Sequence, residues 1–159
     1  MGNRYHRLIA AISALVLVGS AARADVCAPD RVAVIGDFGR ASFTVDVADD
    51  DAERSQGLMH VDQMPRFSGM LFVYPSPRPA NFWMRNTLIP LDMIFAGPDG
   101  AILTVHPNAV PLDETVIAGG DGVQFVLEIN GGMAARLGIE VGDALQHPMI
   151  TEKPLHGCE

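Results

Sequence analysis

The chain has 159 residues and carries 19 acidic against 11 basic side chains, a formal net charge of −8. That length suits one domain with a single hydrophobic core. An acidic body without a basic run is a poor binder of phosphate backbones, which disfavours nucleic acid as a partner.

Residues 1–24 read as a secretory signal peptide. Arg4, His6 and Arg7 make a basic start, residues 8–18 are apolar, and Ala22 and Ala24 supply an A-x-A cleavage site. The apolar run falls short of the ~20 residues that a spanning helix needs, and no later stretch is long enough either. The expected mature chain is residues 25–159, a single domain that is periplasmic or secreted. Loss of Arg4, Arg7 and Arg23 leaves 8 basic against 19 acidic residues, a net −11. Cys27 and Cys158 stand almost at the two ends of that chain. In an oxidising compartment they are expected to form one disulfide, the alternative being two free thiols on loose ends.

Gly and Pro are spread throughout, which predicts short strands and turns in place of long helices. Residues 31–35 and 40–47 read as a hairpin around Gly36-Asp37-Phe38-Gly39, with Phe43, Val45 and Val47 on one face. Asp49, Asp50, Asp51 and Glu53 announce a capped helix start, and the helix is expected to reach about Met59 across Gly57. Residues 69–74 form an apolar strand, and Pro75-Ser76-Pro77-Arg78-Pro79 reads as a rigid loop. Strands at 82–84 and 91–96 flank a connection, and Gly97-Pro98-Asp99-Gly100 turns the second into a strand over 101–106. Residues 124–129 form a further strand. Asn130 is expected to cap a short helix over 133–137 that Gly138 ends, before a last strand at 144–147. The fold class is α+β and mainly β: a curved antiparallel sheet or small, partly open barrel with two short helices.

The run from Phe82 to Asp92 holds the only tryptophan, Trp83, together with Arg85, Asn86 and Asp92, among apolar neighbours. Charges in such a run are expected to be paired, capped or used. Alternation sets Trp83 opposite Phe82 and Met84. It either faces a groove, where an aromatic plate beside donors and acceptors suits a sugar ring or peptide side chain, or lies in the core with its N–H satisfied. Asp92 and Glu128 both sit in apolar strands, and in one cleft they could act as acid and base. The alternative is that each pairs with Arg or accepts backbone hydrogen bonds. The histidines lack zinc-ligand spacing, and Met59, Met64, Met70, Met84 and Met93 sit where Met fills core gaps, so no metal site is expected. No nucleophile elbow, phosphate loop or dinucleotide fingerprint is present, and no cofactor is expected.

Several motifs in order resemble the bacterial and archaeal family called domain of unknown function 192 (DUF192). They are Glu53-Arg54-x-x-Gly57-Leu58-Met59, Gly69-Met70-Leu71-Phe72-Val73, Phe82-Trp83-Met84-Arg85-Asn86-Thr87, Ile89-Pro90-Leu91-Asp92-Met93-Ile94-Phe95, Val126-Leu127-Glu128-Ile129 and Gly138-Ile139-x-x-Gly142-Asp143. The resemblance runs from Phe43 to Leu145 and implies a compact β-rich fold with short helices, but no enzyme class. It departs at Arg85, where the family commonly has Lys, and around Val61, where it often has Arg. Arg54 and Asp92 match the family pattern, Arg85 keeps its positive charge, and the three are expected to lie together as a polar cluster with Trp83 at its margin. The resulting expectation is an exported, non-enzymatic domain that binds a small ligand, glycan or peptide through Arg54, Trp83, Arg85, Asn86 and Asp92. The alternative is a small hydrolase using Asp92 and Glu128.

Overall fold

Alternating apolar and polar residues produce the first hairpin of the computed structural model, which describes residues 27–158. The expected signal peptide lies outside those residues. β1 (Arg31–Gly36) and β2 (Gly39–Ala48) pair antiparallel, with Gly36 opposite Gly39 at the turn. Phe43 and Val45 are buried while Ser42, Thr44 and Asp46 between them are exposed. The next helix, α1 (Asp51–Gln56), begins as its acids dictate. Asp50 accepts a 2.8 Å hydrogen bond from the Glu53 amide, and the Glu53 carboxylate accepts from the Asp49 amide at 3.2 Å.

That helix ends three residues earlier than the sequence predicts. Gly57 takes a positive φ of 49° and returns its N–H to the Glu53 carbonyl, so it stops the helix instead of sitting within it. A Cβ there would stand 3.2 Å from the Phe72 ring.

The strands that follow are longer than their sequences announce. β3 (Ser68–Phe82) runs through Pro75, Pro77 and Pro79, and β6 (Ile117–Asn130) runs through Gly119, Gly120 and Gly122. The expected proline loop is thus part of a strand. The two pair antiparallel with register shifts between Val73 and Arg78 and again up to Asn81. A bulged pairing leaves positions without ladder partners, where a missing proline N–H costs little. β4 (Leu91–Ala96) and β5 (Ile102–Ala109) form the expected hairpin around residues 97–100, where Gly100 has φ 86° and Asp99 accepts from the Ala101 amide. The strand expected at 82–84 ends at Phe82.

α2 (Met133–Leu137) follows β6, and β7 (Ala144–Gln146) closes the chain. Gly132, not Asn130, is the N-cap of α2; the Asn130 amide instead donates to the Pro65 carbonyl at 2.9 Å. Strand order is β5-β4-β6-β3-β2-β1-β7, antiparallel except for β2 against β3, and the seven-stranded sheet curls into a half-barrel. Its two edges approach at one end, where Ala101 bridges Ala144 and Leu145 donates to the Gly100 carbonyl. Among the described residues, no helix is long and apolar enough to cross a membrane.

Period-two alternation divides the core between the two faces of the sheet. One face buries Phe43, Leu71, Ile94, Leu127 and Ile129 with Met133 of α2. The other buries Phe72, Met84, Met93, Phe95 and Val126 beneath Leu58, which follows α1. This second face carries the candidate site.

Cys27 and Cys158 form the expected disulfide, with Cα atoms 5.6 Å apart. Beside the closed ends, His147 is 1 % exposed and neutral by its partners. Its Nδ1 accepts from the Met149 amide at 3.2 Å, so Nε2 carries the proton and donates to the Pro29 carbonyl at 3.0 Å. Burial pushes its pKa below the ordinary 6.5. As pH falls below 6.5 the unfolded chain takes up a proton that the folded one resists, so stability is lost towards acid. His147→Gln is therefore expected to lose less stability than wild type in urea melts between pH 7.5 and pH 5. Equal losses would contradict this role.

Candidate functional site

Three loops interlock on the second face. The His60 amide donates to the Asn86 carbonyl at 2.9 Å, the Met84 amide to Asp113 at 2.8 Å, and the Leu112 amide to Thr87 at 3.1 Å. His60, Asn86 and Leu112 all adopt positive φ, a backbone state that costs non-glycine residues energy and persists where surrounding bonds enforce it. The loops after α1, β3 and β5 thereby frame an open cavity of about 410 Å³. α1 and the residues after it supply one wall, with Arg54, Leu58 and Met59. The strands supply Phe72, Tyr74, Phe82 and Glu128, and Trp83 and Val116 stand at the loop side.

Trp83 is 47 % exposed while Met84 beside it is completely buried, so it stands opposite Met84 as expected, but Phe82, the last residue of β3, lines the same cavity as the Trp83 ring. The Arg85 guanidinium lies 5.6 Å from the Trp83 ring centroid, a cation–π contact at an exposed position. Arg54 is fixed from three sides. Nη1 donates to the Val73 carbonyl at 2.7 Å, Nη2 to Asp51 at 2.6 Å, and the guanidinium sits 5.4 Å from the Tyr74 centroid. Asn86 lies at the loop junction, where its side-chain amide donates to the Met59 sulfur at 3.8 Å.

Glu128 is the unusual group. It lines the cavity, is only 4 % exposed, and among the described residues makes no side-chain hydrogen bond or ion pair. Its register partners across the sheet, Met70 and Met93, offer it nothing polar. Burial therefore pushes its carboxyl from 4.5 up to about 8, so it is mostly protonated at neutral pH. Tyr74, on the same wall, is also raised by burial, against the opposing pull of Arg78 and Arg54.

Asp92 stands elsewhere. It pairs in register with Ile129, whereas Glu128 pairs with Met93, so the two acids project from opposite faces of the sheet. The carboxylate pair that hydrolysis would need is not assembled. The expected cluster of Arg54, Arg85 and Asp92 is not assembled either, because fully buried Asp92 meets backbone amides instead of a guanidinium. Its Oδ1 accepts from Asn108 at 2.7 Å and Gly132 at 2.8 Å, and its Oδ2 from Ala134 at 2.7 Å. It caps α2 from a distance of 40 residues along the chain. Sequence reasoning thus singled out Arg54 and Trp83, which line the cavity, and allowed Asp92 the backbone hydrogen bonds it makes, but wrongly grouped Asp92 with the two arginines and missed Tyr74, Thr87 and Val116. Val61, where a cation was expected in relatives, is partly buried against the second core cluster. Among the described residues, no three His, Cys, Asp or Glu side chains gather as a metal ion would require.

No functionally curated protein matches the chain. Solved structures do, among them two crystal structures each 46 % identical over 72 % of this chain. One, with a TM-score of 0.71 and 82 % of its own length covered, is a protein of unknown function from Novosphingobium aromaticivorans DSM 12444. The other, with a TM-score of 0.70 and 90 % covered, is a protein from Sinorhizobium meliloti 1021 described as a candidate transcription regulator. Residues 33–147 match the family model DUF192, described as an uncharacterized ACR. That span takes in both sheet faces, the interlocked loops and the Glu128 cavity, and the chain belongs to the DUF192 family.

Proposed function

We propose that this protein is an exported, non-enzymatic binding module whose site is the cavity between α1, β3 and β6. The single observation that carries this reading is an open 410 Å³ cavity with an exposed aromatic plate at its mouth and an unpaired buried carboxyl in its wall. A carboxyl without a protein partner that opens into such a cavity is available to a ligand, and ligand sites are mostly apolar clefts with a few placed polar groups. The signal-peptide pattern and the Cys27–Cys158 bridge support export. Transcriptional control through direct DNA contact, which the name of one relative suggests, is disfavoured by the net charge of −8.

The test is a thermal-shift screen of the disulfide-bonded protein against small metabolites, short peptides and glycans, repeated with Trp83→Ala. Hits should stabilise the wild type by several degrees, and Trp83→Ala should weaken them about tenfold or more while still melting cooperatively. Trp83 is the only tryptophan, so its emission should change with each true hit. Hits indifferent to Trp83→Ala would remove the cavity from the account.

A further inference from the structure

We propose that the ligand of this cavity is an organic amine, its ammonium seated on the Glu128 carboxylate and its apolar body against Phe72, Tyr74 and Trp83. The proposal rests on reading the cavity as a binding site and adds the chemical class of its occupant.

Three observations point to a cation. First, the cavity offers an acid with no internal counter-charge, because Glu128 meets only Met70 and Met93 across the sheet. Second, its walls are aromatic, and their rings already gather cations: Arg54 and Arg78 lie on Tyr74 and Arg85 on Trp83, contacts that an ammonium could share or replace. Third, the cavity wall has little cationic capacity to offer an anionic ligand. Among the described residues Arg54 is the only basic residue in its lining, and that guanidinium is already committed to Asp51 and the Val73 carbonyl. Arg85 stands outside the lining, with its guanidinium on the Trp83 ring at the mouth. Arg78 lies 5.1 Å from the centroid of Tyr74 and is not part of the cavity wall. The titratable and charged groups around the cavity are therefore Arg54 from α1 and Tyr74 from β3, with Arg78 behind the tyrosine and Arg85 on the Trp83 ring at the mouth. The net charge of −8 would also draw cations towards the mouth.

Binding carries a defined proton balance. In the empty cavity burial keeps Glu128 largely protonated at neutral pH. An arriving ammonium pairs with the ionised form, so the carboxyl proton leaves to solvent and the amine keeps its own. Affinity should then rise with pH until Glu128 is ionised in the free protein.

Calorimetric titration of the intact protein with phenethylamine and with 2-phenylethanol tests this, at pH 6, 7 and 8 and in two buffers of different ionisation enthalpy. The amine should bind about tenfold more tightly at pH 7 than at pH 6 and release close to one proton at pH 7, while the alcohol shows neither effect. Glu128→Gln should erase the preference for the amine and its pH dependence. Equal affinity for the two compounds, or amine binding that is independent of pH, would overturn the amine assignment while leaving the cavity reading intact. Failure of both to bind would also overturn the assignment. The cavity reading would then stand or fall on whether the screen yields hits sensitive to Trp83→Ala.

Discussion

Asp92→Ala is expected to destabilise the protein by about 3–5 kcal/mol, although Asp92 touches no cavity residue that the account uses. The carboxylate is completely buried and satisfies three backbone N–H groups, those of Asn108, Gly132 and Ala134. Truncation orphans all three and unfastens the end of β5 from the start of α2. Hydrogen bonds to a charged acceptor are worth roughly 1.5–3 kcal/mol each, and leaving their donors buried adds to the loss. Asp92→Asn should recover little, because its NH₂ would face other donors. Urea denaturation measures the change. A loss under about 1 kcal/mol would show that water or a shifted backbone replaces the carboxylate.

Glu128→Gln is expected to act in the opposite sense and to make the protein more stable, increasingly so as pH rises. The folded-state pKa of about 8 lies above the ordinary 4.5. Between those values the folded protein holds a proton that the unfolded chain has released, so wild-type stability falls as pH rises through that window. The full span corresponds to a loss on the order of 5 kcal/mol, complete only above pH 8. Glutamine keeps the shape and cannot ionise. Urea melts at pH 5, 7 and 9 should therefore diverge, with the variant close to wild type at pH 5 and ahead by several kcal/mol at pH 9. Parallel profiles would mean that Glu128 is solvated or paired.

Local chemistry made much of this fold legible in the sequence. The Asp50–Glu53 cap, the alternation through Phe43 and Val45 and the turn at residues 97–100 are each encoded by neighbours a few positions apart. The mainly β, partly open barrel and the terminal disulfide followed from composition and from cysteine placement. What stayed hidden depends on distant partners. The extension of β3 through its prolines is visible only beside the matching bulges of β6. For Asp92 the sequence leaves an Arg partner and backbone amides equally open, because the amides it serves lie 16 to 42 residues further along the chain.

The site divides in the same way. Trp83 could be set opposite Met84 by alternation, but its place in a groove or in the core stayed open, and Arg54 could be singled out by its motif. The cavity itself arises from loops that meet through backbone bonds such as His60 to Asn86 and Leu112 to Thr87. No side-chain pattern encodes those contacts. Asp92 and Glu128 look equivalent in sequence, each an acid in an apolar strand. One register position between them sends them to opposite faces, one to a structural cap and the other to the cavity.

A crystal structure of the protein with the strongest screening hit tests the central claim most directly. The account predicts ligand density in the cavity, packed on the Trp83 ring and with a polar atom within hydrogen-bonding distance of the Glu128 carboxyl. Density confined to the separate groove lined by Met64, Arg66, Asn130 and Arg136, with the Glu128 cavity empty, would contradict it.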